Sequence, residues 1–413
     1  MATSTVSATS SLIGPAEGGV SAPAGFRSAA VHAGVKKVAG ALDLAIIAAD
    51  APVPAAALFT TNLAQAAPVL VSKDHLRESH GMARAIVVNA GCANACTADR
   101  GMADAMRMAS DVAAALGCPS KEILVASTGV IGVALPIDKV SLGISTAVTR
   151  LARERGSDAA RAIMTTDPFP KEHAVTVQTS RGTFIVGGMA KGSGMIEPNM
   201  ATMLAFLTTD AQVTPALLHR ALVESAEDTF NAITVDGECS TNDSLFALAS
   251  GASGVSIDED LYPALRDGLL AVSRELALGI VRGGEGATKL ISVTVRDART
   301  KTDARQVART IANSPLVKTA VHGADPNWGR IVAASGRAGV PFDIGRATVH
   351  VGGILLFEHG LPHDDAAPEA AEYLKGDIID IQVQLGTGGG AQATVYGCDL
   401  SAEYVRINGE YRT

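Results

Sequence analysis

Apolar and polar positions along this chain switch between two spacings, and the switches mark its elements. Residues 85–89 (AIVVN) are a short continuous apolar run, which reads as a buried strand. Beyond it, Met102, Ala105, Met106, Ala109, Val112, Ala113 and Leu116 recur at helical spacing, and Gly117 with Pro119 ends that helix. A second strand over 123–126 runs straight into Ser127-Thr128-Gly129. Residues 175–179 and 183–186 flank Ser180-Arg181-Gly182, a hairpin signal. Thr214-Pro215 opens a helix, with Thr as cap and Pro in the first turn. Its apolar face is Leu217, Leu218, Ala221, Leu222 and Ala226. Residues 42–59 carry apolar runs interrupted by Pro52 and Pro54 and read as strand pieces. Residues 290–296 alternate like a half-buried strand, and 303–313 are helical up to Pro315. Residues 378–385 and 391–396 bracket a glycine-rich turn and read as another hairpin. Strands interleaved with helices, some joined by hairpins, predict a layered α/β fold with mixed sheets. No internal repeat is visible, and 362–368 (PHDDAAP) is the best surface excursion.

Composition sharpens this picture. Of 413 residues, 47% are hydrophobic and 18% charged, enough apolar surface for a large core, so disorder is not expected over most of the chain. Aromatics are only 4%, so the core is expected to be aliphatic, with close backbone approaches at glycines. The net charge is −8 and no basic block occurs, which excludes the usual footprint of nucleic-acid binding. Cys92, Cys96, Cys118, Cys239 and Cys398 are odd in number and form no CxxC, so they read as buried thiols in a reducing compartment. No apolar run approaches the length of a membrane span. Residues 1–12 are Ser/Thr/Ala-rich, without the regions of a secretory signal or the arginines of a transit peptide. A disordered tail over 1–17 on a cytoplasmic protein is expected.

Several familiar motifs fail. Gly192-Ser193-Gly194 lacks the third glycine of a dinucleotide fingerprint and the flanks of a nucleophile elbow, so Ser193 reads as a turn residue. The run 283–289 (GGEGATK) lacks phosphate-loop spacing, because no Ser or Thr follows Lys289. His359 and His363 are four apart, but Gly360, Pro362 and two acids around them favour a solvated loop. What remains is polar residues in glycine-rich settings. Thr128-Gly129 follows a strand, where backbone N–H groups can face an oxyanion, although an ordinary turn would look the same. Lys191, beside Gly192 and Gly194, suits a carboxylate or plain solvent. Ala201-Thr202 precedes the apolar run 203–207. A threonine there can simply open a buried strand. It can also attack the preceding carbonyl, leave as a new amino terminus, and use its own α-amine as base. Spacing alone does not select Thr202 from other threonines.

Residues 191–210 (KGSGMIEPNMATMLAFLTTD) resemble the self-cleavage segment of the ornithine acetyltransferase family. Residues 18–36 (GGVSAPAGFRSAAVHAGVK), 89–97 (NAGCANACT), 127–132 (STGVIG) and 164–171 (MTTDPFPK) follow in family order. So do 231–244 (NAITVDGECSTNDS), 325–332 (DPNWGRIV) and 408–413 (NGEYRT), and the likeness covers the chain from Gly18 to its last residue. The resemblance implies the fold of that family and of self-processing aminopeptidases. It implies cleavage between Ala201 and Thr202 into an α chain, 18–201 after the tail, and a β chain, 202–413. Thr202 would be the nucleophile, and Thr128 and Gly129 the oxyanion hole. Thr165, Lys191, Thr202, Glu285, Asn408 and Thr413 occupy the family's substrate-binding positions. Glu285 suits a substrate ammonium, and the terminal carboxylate of Thr413 would lie near the site. Glu197 departs from the family, in which many members carry a small or neutral residue there; it either tunes acceptor choice or faces solvent.

The implied reaction has two half-steps in arginine biosynthesis. N2-acetylornithine acetylates Thr202 and leaves as ornithine; glutamate then takes the acetyl group. No metal or organic cofactor is implied, although some members also accept acetyl-CoA as co-substrate. The implied partners are the two fragments themselves, as α2β2, with no nucleic acid or membrane. Two alternatives stay open: a terminal-nucleophile amidase or aminopeptidase, in which water takes the acyl group, and a non-catalytic amino-acid-binding protein.

Overall fold

The computed structural model describes residues 12–197 and 203–410. Nine strands form the first sheet: β1 (Leu12–Pro15), β2 (Phe26–Val31), β3 (Leu44–Phe59), β4 (Met82–Cys92), β5 (Ile123–Val130), β6 (Lys171–Thr179), β7 (Gly182–Lys191), β8 (Leu204–Thr209) and β9 (Ser244–Ala249). Their order is β1-β6-β7-β8-β9-β3-β4-β5, with β2 also pairing β3. The 16-residue β3 carries both halves. Its first part pairs β2 and β4, and its last five residues pair β9 antiparallel. Its register with β4 shifts between Ala48 and Val53, where Pro52 and its neighbours bend the strand.

That bend lets one hydrogen-bonded sheet act as two layers. Alternation along each strand sends successive side chains into different cores. Leu204 and Phe206 of β8 face a central core shared with Ile47, Ile86, Val88 and Leu124 from the other half. Ala205 and Leu207 face the opposite way, onto α5 (Pro215–Glu227) and α6 (Tyr262–Arg282). The outer face of the β3–β5 half, including Ile46, Val87 and Val125, is covered by α1 (Ala67–Glu78), α2 (Ala98–Leu116) and α3 (Ile137–Val148), while α4 (Gly156–Ala162) closes the central core. The result is four layers: helices, sheet, sheet, helices.

A second sheet follows in sequence: β10 (Leu290–Ala298), β11 (Thr348–Val351), β12 (Ile354–Glu358), β13 (Leu361–Pro362), β14 (Ile378–Gln384) and β15 (Ala391–Cys398), ordered β13-β12-β11-β14-β10-β15. Its core packs against α7 (Lys301–Ala312), α8 (Pro315–His322), α9 (Trp328–Gly336) and α10 (Ala367–Tyr373). The chain ends its described part in α11 (Ala402–Glu410). A layered mixed α/β fold was expected and is present.

Two expectations are corrected. Residues 378–385 and 391–396 are not a hairpin, because β10 lies between β14 and β15. Their glycine-rich link wraps over the end of β10, where Asp297 accepts from Gly388 N (3.1 Å) and Gly390 N (3.2 Å). The disordered tail expected over 1–17 does not hold for Leu12–Pro15, which pairs β6 antiparallel, and residues 1–11 lie outside the described residues. Main-chain ladder bonds do not depend on side-chain composition, so the Ser/Thr/Ala content gave no sign of this strand.

Candidate active site

Glycine sets the first wall of the site. Strands β4 and β5 run parallel, Gly91 stands opposite Gly129, and the register breaks at Cys92. Gly129 has φ +127°, and a β-carbon there would meet the Gly91 carbonyl carbon and lie 2.6 Å from Cys92 N. Only glycine therefore fits where the two strands part. Buried polar side chains hold this exit. Asn242 Nδ2 donates to Ala93 O (2.6 Å) and Ser127 O (2.9 Å). Ser127 Oγ donates to Asn89 Oδ1 (2.6 Å), and Asn89 Nδ2 donates to Cys92 O (2.9 Å). Burial pushes the Cys92 thiol up, so this cysteine is structural.

The second wall is the end of β7. Lys191 is buried to 8% exposure, and its ammonium makes no side-chain hydrogen bond among the described residues. Behind it lies Asp167, whose Oδ1 accepts from Lys171 Nζ (2.6 Å) and Gly192 N (2.7 Å), while Oδ2 accepts from Thr165 N (2.9 Å). Burial pushes this carboxyl up, but the Lys191 and Lys171 charges and the bonds from Lys171 and Gly192 outweigh it and hold it at about 2. Burial also pushes the Lys171 and Lys36 ammonium groups down, partly offset by their carboxylate neighbours.

The third wall comes from the second half of the chain. Asp236 receives Met195 N (2.7 Å) and Ile196 N (2.8 Å), which fixes Met195 at φ +56°. Tyr404 Oη on α11 donates to Asp236 (3.3 Å); burial and the Asp236 charge push this phenol well above its ordinary range. Glu285 sits in the turn after α6, with its N–H bonded to Ser193 O (2.9 Å) and its carboxylate receiving Asn408 Nδ2 (2.8 Å). Gly194 lies flat against that carboxylate, since a β-carbon there would approach Glu285 Oε1 to 2.7 Å.

These walls enclose a cavity of about 140 Å³. Thr128, Gly129, Thr165, Lys191, Glu285 and Asn408 all line it, together with Thr166, Asp236, Asn242, Asp243 and Tyr404. Met203 and Leu204 line it too, at the foot of the segment 192–203. Ala201, Thr202 and Thr413 lie outside the described residues. A cation, a carboxylate, and glycine-rich backbone at a strand end are thus gathered from segments far apart in sequence. Such a constellation can bind an α-amino acid by both charged groups and hold an acyl carbon against backbone donors. Among the described residues no group of His, Cys, Asp or Glu is arranged to hold a metal. No helix of the described residues is long and apolar enough to cross a membrane.

The remaining candidates fall elsewhere. Glu197 does not line the cavity; it turns toward α7, where its carboxylate receives Asn313 Nδ2 and Thr234 Oγ1. Ser193 donates to Gly283 O (2.6 Å) and staples the turn, as expected of a turn residue. The run 283–289 is the α6–β10 link and carries Glu285. Asp167, Asp236 and Tyr404 were not singled out from sequence. Asp167 and Lys171 sit in the quoted block 164–171, but Pro168 and Pro170 between them hide the ion pair from any helical spacing rule.

Comparison with known proteins adds a separate line. The ArgJ family model matches residues 27–413. Arginine biosynthesis bifunctional protein ArgJ of Symbiobacterium thermophilum is 49% identical over 402 residues, covering 96% of this chain and 99% of its own. The protein of the same name in Dehalococcoides mccartyi is 47% identical over 401 residues, covering 96% and 98%. A crystal structure of ornithine acetyltransferase from Mycobacterium tuberculosis, complexed with ornithine, is 42% identical; it covers 46% of this chain and 100% of its own, at a TM-score of 0.42.

Proposed function

The chain belongs to the ArgJ family, and from that premise we propose that it moves an acetyl group from N2-acetylornithine to glutamate through an ester on Thr202. It is an acetyltransferase of arginine biosynthesis. The observation that carries the finer reading is the cavity itself, which six of the candidate residues line at the foot of the segment containing Thr202.

In this reading the Thr202 hydroxyl first attacks the Ala201 carbonyl and the C–N bond breaks, leaving an ester and a free Thr202 α-amine; water then hydrolyses the ester to the Ala201 carboxylate and frees the hydroxyl. That amine then takes the hydroxyl proton as Thr202 attacks the acetyl carbonyl of N2-acetylornithine. Thr128 and Gly129 stabilise the tetrahedral oxyanion. Lys191 holds the substrate α-carboxylate, Glu285 with Asn408 holds an ammonium, and Thr165 and Thr413 complete the pocket. Ornithine leaves, glutamate enters with its α-carboxylate on Lys191, and its neutral α-amine attacks the Thr202 ester to release N-acetylglutamate and the free hydroxyl. No metal or organic cofactor takes part. The relatives are named bifunctional, and we extend the reading to acetyl-CoA as a second acetyl donor. An α2β2 assembly and a cytoplasmic location belong to the same reading.

Mass spectrometry of the purified protein after brief incubation with N2-acetylornithine tests it. The expected result is two fragments, 1–201 and 202–413, with an acetyl adduct on the second that glutamate discharges. Thr202→Ala is expected to stay uncut and inactive; an uncut but active variant refutes the nucleophile. Acetylornithine hydrolysis that ignores glutamate would make the protein an amidase instead.

A further inference from the structure

We propose that Asp167 is a positioning residue for the substrate carboxylate, acting through Lys191 and the Thr165 backbone; this rests on the reading that Lys191 binds that carboxylate. The Asp167 side chain is fully buried and touches no part of the cavity, so it is not a catalytic residue. Its three bonds nevertheless tie down two cavity walls. One oxygen holds Thr165 N and the other holds Gly192 N, the residue at which the chain leaves β7. A carboxylate bonded to both fixes the spacing between the Thr165 loop and the Lys191 strand end. Lys171, whose side chain is 2% exposed, fills the remaining acceptor position.

Charge gives the second half of the case. Lys36, Lys171 and Lys191 all act on one another or on Asp167. Lys36 is anchored on Leu42 O (2.7 Å) and Ala162 O (3.1 Å). Asp167 and Asp43 before β3 are the carboxylates that act on Lys36, and Glu285, Asp236, Glu238 and Asp243 line the same cavity as Lys191. Asp43 is already committed to Ala33 N, Val35 N and Lys36 N, and Glu285 to Asn408. Asp167 is the buried anion that Lys36, Lys171 and Lys191 share, while Lys191 lines the cavity. Asparagine at 167 keeps the shape, but it removes the charge and turns one acceptor into a donor facing an N–H.

The test is steady-state acetyl transfer against pH in wild type, Asp167→Asn and Lys171→Met. In Asp167→Asn, KM for N2-acetylornithine and for glutamate is expected to rise about tenfold near pH 8, with kcat within about twofold. The alkaline limb of kcat/KM is expected to move to lower pH, because a cationic cluster short of one carboxylate sheds a proton sooner. Lys171→Met keeps the carboxylate on Gly192 and Thr165, and its KM is expected within about twofold of wild type. A uniform loss of kcat/KM at every pH, or a Lys171→Met that reproduces the whole effect, overturns the proposal. If Asp167→Asn does not fold, Asp167→Asn/Lys171→Met removes the buried pair together and is read against Lys171→Met by the same criteria. Wild type without acetyl transfer would instead fail the functional reading, which the wild-type arm reports separately.

Discussion

Gly129→Ala puts the geometry of the strand exit to a quantitative test. Alanine at φ +127° costs roughly 1–3 kcal/mol in backbone strain. Its β-carbon would also lie 2.6 Å from Cys92 N and 2.7 Å from Gly91 Cα, both backbone atoms, where ordinary contact starts at 3.4 Å. The strand ends must part by close to 1 Å, and overpacking of that kind costs roughly 1–3 kcal/mol more. The chain is large enough to stay folded with roughly 2–6 kcal/mol less stability if it begins near the upper end of the usual range. The proposed function places the oxyanion donors on this same backbone, and a misplacement of about 1 Å is worth about 10²-fold in rate. Loss of one donor outright costs about 10²–10³. The expected outcome is a lower Tm and a kcat down by about 10²–10³, with KM changed only a few-fold.

Gly132→Ala is the control. Gly132 also has positive φ (+75°), but a β-carbon there meets nothing within 4 Å. It should lose roughly 1 kcal/mol of stability and keep its kcat. Circular-dichroism melts measure stability, and rates are corrected for the folded fraction. A Gly129→Ala enzyme with wild-type kcat, or one whose rate falls only as its folded fraction falls, refutes the assignment of this backbone to catalysis.

Three further outcomes are expected. Asn408→Ala removes the 2.8 Å bond to Glu285, and should raise KM for acetylornithine about tenfold with little change in kcat, measured by steady-state kinetics. Asp167, held at about 2 in the fold, should contribute stability that is complete above its unfolded pKa near ~3.9 and is lost as pH falls through about 2; urea melts across that window check it. The two fragments should co-elute in gel filtration and separate only in denaturant.

Local signals were legible where local physics decides. Of the apolar stripe read between Met102 and Leu116, Ala105, Ala109, Val112 and Ala113 are buried on one side of α2 while Met106 is exposed, and Gly117 closes the helix in the left-handed region as expected. Thr214 caps α5 by accepting from Leu217 N. The hairpin around residues 180–182 is present as β6 and β7. What failed was adjacency. Nothing in the alternation of residues 378–396 reveals that β10, about eighty residues earlier, inserts between the two strands. Pro52 and Pro54 looked like breaks because proline interrupts a ladder, yet β3 runs through them by bending from one layer to the other. At the site, glycine-rich surroundings drew attention to Thr128, Gly129 and Lys191, while Thr165, Glu285 and Asn408 came from the family resemblance, and all six line the cavity. Asp167 was missed because its meaning lies in Gly192 and Lys191, which a long excursion through β6 and β7 brings back to it. Glu197, read as either tuning acceptor choice or facing solvent, bonds Glu238 O through its backbone N–H and Asn313 and Thr234 through its carboxylate, and it does not line the cavity.

The sheet explains why a cut between residues 192 and 203 is compatible with a standing fold. Lys191 pairs directly with Leu204, so the chain leaves the sheet and rejoins it on the same rung. A peptide bond broken within that excursion removes no bond of the β7–β8 ladder. Strands β8 and β9, which would follow such a cut, lie between β7 and β3, which would precede it. Parting the fragments would require opening two ladders, β7–β8 and β9–β3, and both cores that β8 faces. The same rung lies on the cavity wall, since Lys191 and Leu204 both line it. In the proposed reading a new amino terminus at Thr202 would begin two residues before Leu204, the rung partner of the cavity cation Lys191.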